Sequence, residues 1–181
     1  MIRSVVIADD DQLVGNLPTQ GSDILISLGD LFDSSIEKAF YKYGCKNAFA
    51  VKGNHDSDAK FADYITPLHF NIATYKGLTF GGFNGCWKYK DKGHHLYEQF
   101  EVSNKLRSFP RVDVFVAHNS PFGVHERDSE VHQGFEGFTE YIERNQPKYF
   151  LHGHQHCNAL SKIGPTEIIG VYGETAIELK L

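Results

Sequence analysis

Short apolar runs that end in polar residues or glycine recur along the chain and predict β-strands. Residues 4–8, 24–28 and 48–51 are apolar at almost every position, a pattern typical of strands buried on both faces of a sheet. The same pattern predicts further strands over residues 79–83, 112–117 and 149–151. The last two apolar segments, 166–171 and 174–181, have the pattern of a pair of closing strands.

Helical spacing separates some of these runs. Residues 35–43 are predicted to form an amphipathic helix, because apolar positions 36, 39, 40 and 43 recur at helical spacing before Gly44, and Ser34 and Glu37 have the spacing of a capping box. Phe135, Phe138 and Ile142 form a second helical stripe that ends before Pro147. Alternating strands and helices predict a mixed α/β sandwich.

Composition limits the function classes. With 181 residues, of which 41% are hydrophobic, the chain is expected to form one domain over residues 1–181. The formal net charge of −5 argues against a protein that binds long nucleic acids or anionic lipid. No apolar run reaches the roughly 20 residues of a spanning helix, and three unpaired-looking cysteines indicate a reducing compartment. We therefore expect a cytoplasmic protein that does not act on membranes; the sequence gives no indication of its oligomeric state.

Five polar motifs follow predicted strands directly, at the end of each apolar run. They are Asp9-Asp10-Asp11, Gly29-Asp30-Leu31-Phe32-Asp33, Gly53-Asn54-His55-Asp56, His118-Asn119 and Gly153-His154-Gln155-His156. Ligands bind beyond the carboxyl ends of strands in α/β sheets, so these loops are expected to meet at one site. Carboxylates, an amide oxygen and imidazoles together suit borderline divalent metals such as Mn, Fe, Ni, Zn or Co. The ligand count favours two ions over one.

The motifs in this order resemble those of the calcineurin-like metallophosphoesterase superfamily, over residues 5 to about 157. The resemblance implies a four-layer αββα sandwich of two mixed β-sheets flanked by helices, and two divalent metal ions. It implies that Asp30 bridges the ions, that Asp9 and His156 bind the first, and that Asn54, His118 and His154 bind the second. It also implies that His55 is the catalytic acid beside the metals.

Physical chemistry is consistent with these implied roles. Two divalent ions about 3.5–4 Å apart would hold a hydroxide for in-line attack on phosphorus and neutralise the phosphoryl oxygens. Imidazole side chains can transfer protons near neutral pH, so His55 is suited to protonate the departing alkoxide, while Asp56 is expected to orient its ring. Asp33 is expected to support the site in a similar way.

One position departs from the family pattern, in which the first motif is usually D-x-H. Asp11 stands where histidine is expected, and alternation along an extended strand end places Asp9 and Asp11 on the same side, so Asp11 rather than Asp10 is the candidate ligand. Aspartate adds negative charge and favours the harder ions Mn²⁺ or Fe²⁺/Fe³⁺, with Zn²⁺, Ni²⁺ or Co²⁺ as alternatives. The alternative is that Asp11 leaves the first metal site only weakly occupied.

Within the superfamily the chain resembles small phosphodiesterases, which implies a metal-dependent phosphodiesterase that hydrolyses a small or nucleotide-like phosphodiester. Ser34 follows Asp33 where the phosphoprotein-phosphatase branch resembles G-D-x-x-D-R-G, which disfavours that branch. The alternatives are a phosphomonoesterase and a metal-binding or regulatory module weakened by Asp11. Six further histidines are expected to be structural or solvated, with a position over the substrate as the alternative for His94 or His95 and a position at the rim of the site for His125 or His132.

Overall fold

Two mixed β-sheets form the centre of the computed structural model, which describes residues 1–18 and 21–180. The strands are β1 (Ile2–Ala8), β2 (Ile24–Ser27), β3 (Asn47–Ala50), β4 (Ile65–Pro67), β5 (Ile72–Tyr75), β6 (Leu78–Phe83), β7 (Cys86–Trp87), β8 (Leu96–Tyr97), β9 (Val114–Ala117), β10 (Tyr149–His152), β11 (Ala159–Ile163), β12 (Thr166–Gly170) and β13 (Gly173–Leu179). The α-helices are α1 (Asp33–Lys42), α2 (Gln99–Leu106) and α3 (Glu136–Asn145), and short 3₁₀ turns lie at Asp11–Leu13 and Glu130–His132.

The first sheet has the strand order β13-β1-β2-β3-β4, with β1 to β4 parallel and β13 antiparallel at the edge. The second has the order β11-β12-β10-β9-β6-β5, with β12, β10, β9 and β6 parallel and antiparallel strands at both edges. Strands β7 and β8 pair separately. The parallel strands carry every motif found in the sequence, so the motif loops emerge from the same ends of the two sheets.

Three apolar layers hold the sheets and helices together. In β1, Val6 and Ala8 point between the sheets, whereas Val5 and Ile7 point outward beneath α1, as the two-residue period of a strand requires. On the outer face of the second sheet, Phe115 of β9 packs with α2 and α3. The layers therefore run helix, sheet, sheet, helix, which confirms the predicted αββα sandwich.

The two last strands are not the closing pair that the sequence predicted. Strand β12 lies between β10 and β11 in the second sheet, whereas β13 pairs with β1 in the first. The turn at Val171–Tyr172 carries the chain from one sheet to the other, so β12 forms a hairpin with the preceding β11, whereas β13 pairs with the distant β1. Leu181, the last residue of the predicted strand, lies outside the described residues.

Helix α1 begins at Asp33, two residues before the predicted start, and its N-cap is Phe32 with no side-chain capping bond. The predicted capping box of Ser34 and Glu37 was therefore wrong. The backbone N–H of Phe32 donates to Asp11 Oδ1 at 3.0 Å, and the Phe32 carbonyl accepts from Ser35 N–H at 2.9 Å. A tertiary contact from the first motif thus starts the helix earlier than its local sequence indicates.

All three cysteines are free thiols, as their spacing predicted. Among residues 1–18 and 21–180, no helix has the length and apolar character needed to cross a membrane.

Candidate metal centre

The five motif loops meet at the carboxyl ends of the strands, as the sequence predicted. Strands β1, β2 and β3 deliver Asp9, Asp30 and Asn54 from one sheet, and β9 and β10 deliver His118 and His154 from the other. Hydrogen bonds join the two sheets here: His154 N–H donates to Asp9 Oδ2 at 2.9 Å, and the His118 ring contacts the Leu28 carbonyl at 2.8 Å.

Four of the proposed ligands have left-handed backbones. Asp9, Asp30, His154 and His156 have φ values of 66°, 56°, 62° and 49°, which non-glycine residues rarely adopt. Such conformations cost of the order of 1 kcal/mol or more each and persist where surrounding contacts enforce them. Each lies in the loop that follows β1, β2 or β10 and turns the chain there.

His118 shows most clearly what the site is built to hold. Its Nδ1 lies 2.8 Å from the Leu28 carbonyl oxygen, which only accepts hydrogen bonds, so Nδ1 carries a proton. Nε2 is therefore free to act as a lone-pair donor, and it lies 3.1 Å from Asn54 Oδ1 and 3.3 Å from Asp30 Oδ2. Nε2 and two oxygen acceptors thus converge, an arrangement that a proton on Nε2 or a bound metal ion would satisfy.

His154 completes this cluster. Its Nε2 lies 3.1 Å from the Val131 carbonyl oxygen, to which it donates a proton, so Nδ1 remains as the ligand atom. One ligand atom each from Asp30, His118 and His154 lie within 4.8 Å of one another, and His118 and His154 are buried. The structure thus brings together Asp30 and the three residues that the resemblance assigns to the second metal.

Asp9 provides an independent sign that the site suits a cation. Its Oδ1 is buried and has no hydrogen-bond partner among residues 1–18 and 21–180, while Oδ2 accepts from His154 N–H. A buried carboxylate oxygen without a partner costs free energy that a bound metal ion would offset. Both observations fit the chemistry of a divalent metal site, and Asp9, Asp30, Asn54, His118 and His154 are the residues that would hold it.

The pKa values of these groups reflect the same charge arrangement. Burial raises the pKa of Asp9 to about 7. Burial opposes protonation of His118, but Asp30 outweighs it and raises the pKa of His118 to about 9. For Asp30, burial is likewise outweighed by His118, so its pKa is lowered. A proton on His118 and a metal ion would therefore compete for the same place beside Asp30.

A cavity of about 390 Å³ adjoins the central cluster, and the remaining proposed ligands, Asp11 and His156, line it. Asp9, Asp11, Asp30 and His156 line this cavity together with His55 and Asp56. The His156 ring stacks on Tyr172 with centroids 4.9 Å apart, and its Nδ1 lies 3.4 Å from an Arg127 guanidinium nitrogen.

The premise used to choose Asp11 over Asp10 was wrong, although Asp11 does reach the cavity. Strand β1 ends at Ala8 and the chain turns at Asp9, so no extended strand alternation exists there. Asp10 caps the following 3₁₀ turn through Gln12 N–H and accepts from the Tyr172 hydroxyl at 2.9 Å. Asp11 lines the cavity because that 3₁₀ turn points it back toward Phe32.

The proposed acid and its neighbours lie at the edge of this cavity. His55 is exposed, and its backbone N–H donates to Asp30 Oδ1 at 2.8 Å. Asp56 Oδ2 accepts from the backbone N–H groups of Gly53 at 2.7 Å and Asp30 at 2.9 Å, so it ties the second motif to the third. Asp33 is exposed in the first turn of α1 and lines an adjoining cavity with His55 and Asp56.

Gly53 fits this arrangement because it has no side chain. A Cβ atom there would lie 2.0 Å from Asp30 Oδ1 and 2.6 Å from His118 Cε1. The glycine of the third motif therefore allows two proposed ligands to approach the backbone closely.

Sequence reasoning missed two residues beside the proposed ligands, Gln155 and Arg127. The Gln155 amide nitrogen donates to Ser120 Oγ at 2.9 Å and to the His132 carbonyl at 2.7 Å, and its oxygen accepts from Arg127 N–H. His132 packs against His154 with ring centroids 4.9 Å apart. Gln155 was the variable position of its motif and Arg127 lay in a charged stretch, so only the tertiary contacts reveal them; for His132, the rim alternative is the one the structure favours.

The other histidines have structural contacts. His152 is buried in β10 and bonded to His125, whose Nε2 lies 2.8 Å from Ser161 Oγ. His94 Nδ1 lies 2.8 Å from an Asp58 carboxylate oxygen, and His69 Nδ1 accepts from Asn84 N–H at 3.0 Å. These contacts agree with the expectation that most of the ten histidines serve packing or solvation.

Comparison with known proteins places this geometry in context. A family model described as calcineurin-like phosphoesterase matches residues 7–158. A Drosophila melanogaster lariat debranching enzyme is 22% identical over 167 residues, which cover 66% of this chain and 31% of that protein. The UPF0046 protein K07C11.7 of Caenorhabditis elegans is 23% identical over 184 residues, covering 86% of this chain and 63% of that protein. The chain thus spans less than two thirds of these relatives.

Among solved structures, the phosphopantetheinyl hydrolase PptH of Mycobacterium tuberculosis has a TM-score of 0.58 and 11% sequence identity, and the match covers 93% of this chain and 89% of that one. At this identity the similarity shows a shared fold.

Proposed function

The chain belongs to the calcineurin-like phosphoesterase family, and from this membership and the site geometry we propose that it is a metal-dependent phosphodiesterase acting on small or nucleotide-like phosphodiesters. The observation that carries the proposal is the convergence of His118 Nε2, Asp30 Oδ2 and Asn54 Oδ1 around one point, in a site where Asp30 also lines a cavity with exposed His55. The names of the relatives, a debranching enzyme and a hydrolase, support hydrolysis.

Divalent ions, when bound, supply the positive charge that stabilises phosphoryl oxygens and lowers the pKa of water. We assign Asp9, Asp11, Asp30 and His156 to the first ion and Asp30, Asn54, His118 and His154 to the second, with Mn²⁺ or Fe²⁺/Fe³⁺ as the expected metals. Leu28 and Val131 fix the tautomers of the two imidazoles through their carbonyl oxygens. The ligand atoms are thereby oriented before any metal arrives.

The chain's own contribution to bond cleavage comes from His55. Its backbone is fixed by the bond to Asp30, and its side chain is exposed at the cavity, where it is placed to protonate the oxygen of the departing alcohol. Asp56 acts through the backbone, because it holds the loops of Asp30 and Gly53 at a fixed separation. It is a positioning residue.

Hydrolysis assays with Mn²⁺ test the proposal. We expect turnover of bis(p-nitrophenyl) phosphate that exceeds turnover of p-nitrophenyl phosphate and is abolished by EDTA. The Asp30→Asn variant should lose at least about 1,000-fold in kcat/KM, whereas the exposed loop variant Asp91→Asn should match the wild type. Full activity of Asp30→Asn would contradict the metal assignment.

The role of His55 is tested by varying the leaving group. A general acid contributes roughly 10²–10⁴-fold where the leaving alkoxide is a strong base, and little where it is a stable phenolate. The His55→Gln variant should therefore lose far more activity on thymidylyl-thymidine than on bis(p-nitrophenyl) phosphate. Equal losses on both substrates would exclude the acid role.

The alternatives have distinct outcomes in the same assays. Preference for the monoester would make the protein a phosphomonoesterase. Metal binding without turnover of either substrate would make it a metal-binding or regulatory module.

A further inference from the structure

Lys52 is a buried lysine beside the candidate site, directly before the Gly53-Asn54-His55-Asp56 motif. It is 8% exposed. Its backbone N–H donates to Asn84 Oδ1 at 2.8 Å, and its carbonyl accepts from Gly85 N–H at 2.7 Å. The loop after β6 therefore holds the backbone of Lys52 in place from both sides.

The ammonium group of Lys52 has no anionic partner among residues 1–18 and 21–180. Its Nζ lies 4.5 Å from the centre of the Phe61 ring, and within that part of the chain no carboxylate oxygen lies within 4.0 Å of it. Lysine residues are rarely this buried unless they are paired, and a cation–π contact provides only part of such a pairing. Within the described part of the chain Nζ is not one of the enclosed atoms that lack a partner, so the ammonium opens onto the cavities that Lys52 lines and is accessible to an anion there.

Adjoining cavities connect Lys52 with the metal centre. A cavity of about 250 Å³ is lined by Lys52, Ser57 and Asp33, and it shares its other lining residues with the 390 Å³ cavity of the candidate metal ligands. The shared residues are Leu31, Phe32, His55 and Asp56. Lys52 also lines a third cavity of about 480 Å³ with Phe61 and Lys60. A groove therefore runs from the metal ligands past His55 to Lys52.

The position of His55 identifies which part of the substrate enters this groove. In the proposed function, His55 protonates the departing oxygen, so the leaving group lies on the His55 side of the scissile phosphorus. The Phe32 side chain is 72% exposed at the junction of the two cavities and provides an aromatic surface there. Asp58, in the third cavity, is paired with His94 and His95 and competes little for Lys52.

We propose that Lys52 binds a second phosphate group, carried by the leaving alcohol of the substrate. This inference rests on the proposed function and narrows its substrate class to phosphodiesters whose leaving alcohol is itself phosphorylated, such as a terminally phosphorylated dinucleotide. The scissile phosphate lies at the metal ligands, and the second phosphate lies one cavity away at Lys52.

The test compares thymidylyl-thymidine with the same dinucleotide phosphorylated at its 5′ or its 3′ end. For the wild type we expect one phosphorylated form to have a KM at least about tenfold lower than the unphosphorylated one, as a charge-assisted hydrogen bond provides. Lys52→Met, which keeps the apolar stem, should reduce this ratio below about twofold, and Lys52→Arg should retain it. The matched control Lys92→Met changes an exposed loop lysine and should keep the wild-type ratio.

Failure of this inference differs from failure of the proposed function. A wild type that hydrolyses the dinucleotides without preferring either phosphorylated form, or a Lys52→Met variant that keeps the preference, would overturn the role of Lys52 alone. The wild-type preference does not depend on whether a variant folds. If no diester is hydrolysed, calorimetry measures instead the ratio of the dissociation constants of thymidine 5′-monophosphate and thymidine 3′,5′-bisphosphate. Loss of the preference for the bisphosphate in Lys52→Met supports the anion site, and an unchanged preference refutes it.

Discussion

Replacing Gly53 with alanine should remove metal binding without unfolding the protein. The new Cβ would lie 2.0 Å from Asp30 Oδ1, about 1.4 Å closer than ordinary van der Waals contact, and 2.6 Å from His118 Cε1. Metal–ligand distances tolerate only about 0.2 Å of change. Both side chains must move by several times that tolerance, so we expect metal affinity to fall by at least about 100-fold.

The stability of the variant should change much less than its metal affinity. Overpacking of this kind costs roughly 1–3 kcal/mol, and Gly53 has an ordinary backbone φ that alanine can adopt. Gly44→Ala is the matched control, because Gly44 has φ +64° but no atom within 4 Å of the added Cβ. It should lose stability through backbone strain alone and bind metal like the wild type.

Calorimetric titration of the metal-free proteins with Mn²⁺ measures the affinity, and thermal unfolding with EDTA measures the stability. If Gly53→Ala bound Mn²⁺ with wild-type affinity while folded, the close approach of Asp30 and His118 to this backbone would not matter for metal binding. The assignment of both residues as ligands would then be refuted.

Three further changes probe other parts of the structure. Asp11→Asn keeps the acceptor for Phe32 N–H but removes the charge, so we expect an unchanged melting temperature and roughly 10–100-fold weaker binding of one metal ion; an unchanged metal affinity would leave Asp11 only its contact with α1. Burial lowers the pKa of His69 to about 4, below its unfolded value of 6.5, so the unfolded chain takes up the proton first as the pH falls from 6.5 to 4. Over this range the free energy of unfolding of the wild type should fall by up to about 2 kcal/mol, whereas that of His69→Gln should not show this loss. Urea unfolding at several pH values measures the difference, and identical pH profiles would contradict this. Ser27→Ala removes a buried hydroxyl that has no hydrogen-bond partner in the described part of the chain, so the change should be neutral or stabilising by up to about 1 kcal/mol. Thermal unfolding measures this, and a clear loss of stability would mean that the hydroxyl has a partner.

Most of the fold could be predicted from the sequence because the parallel strands are buried on both faces. Such strands appear as apolar runs that need no tertiary information, and β1, β2 and β3 were found in this way. The helix α2 and the short edge strands β4, β5 and β11 were not predicted, because their half-exposed faces give weak patterns. The placement of β13 in the other sheet from β12 depends on its pairing with the distant β1.

For the candidate site, the sequence by itself determined which residues stand at the strand ends. The order of Asp9, Asp30, Asn54, His118 and His154 along the chain, and the rule that parallel strands present their carboxyl ends together, sufficed to expect a metal centre. Chemical type and position after a strand are local properties, so they can be determined from the sequence.

Only the tertiary structure decided how these residues are directed and what surrounds them. The left-handed turns at Asp9 and His154, the tautomer of His118 and the lack of a partner for Asp9 Oδ1 all follow from contacts between the two sheets. Nothing in the sequence distinguishes Lys52 from the other lysines. Its burial beside an open groove arises because β3 and the loop after β6 meet in space, which no local pattern encodes.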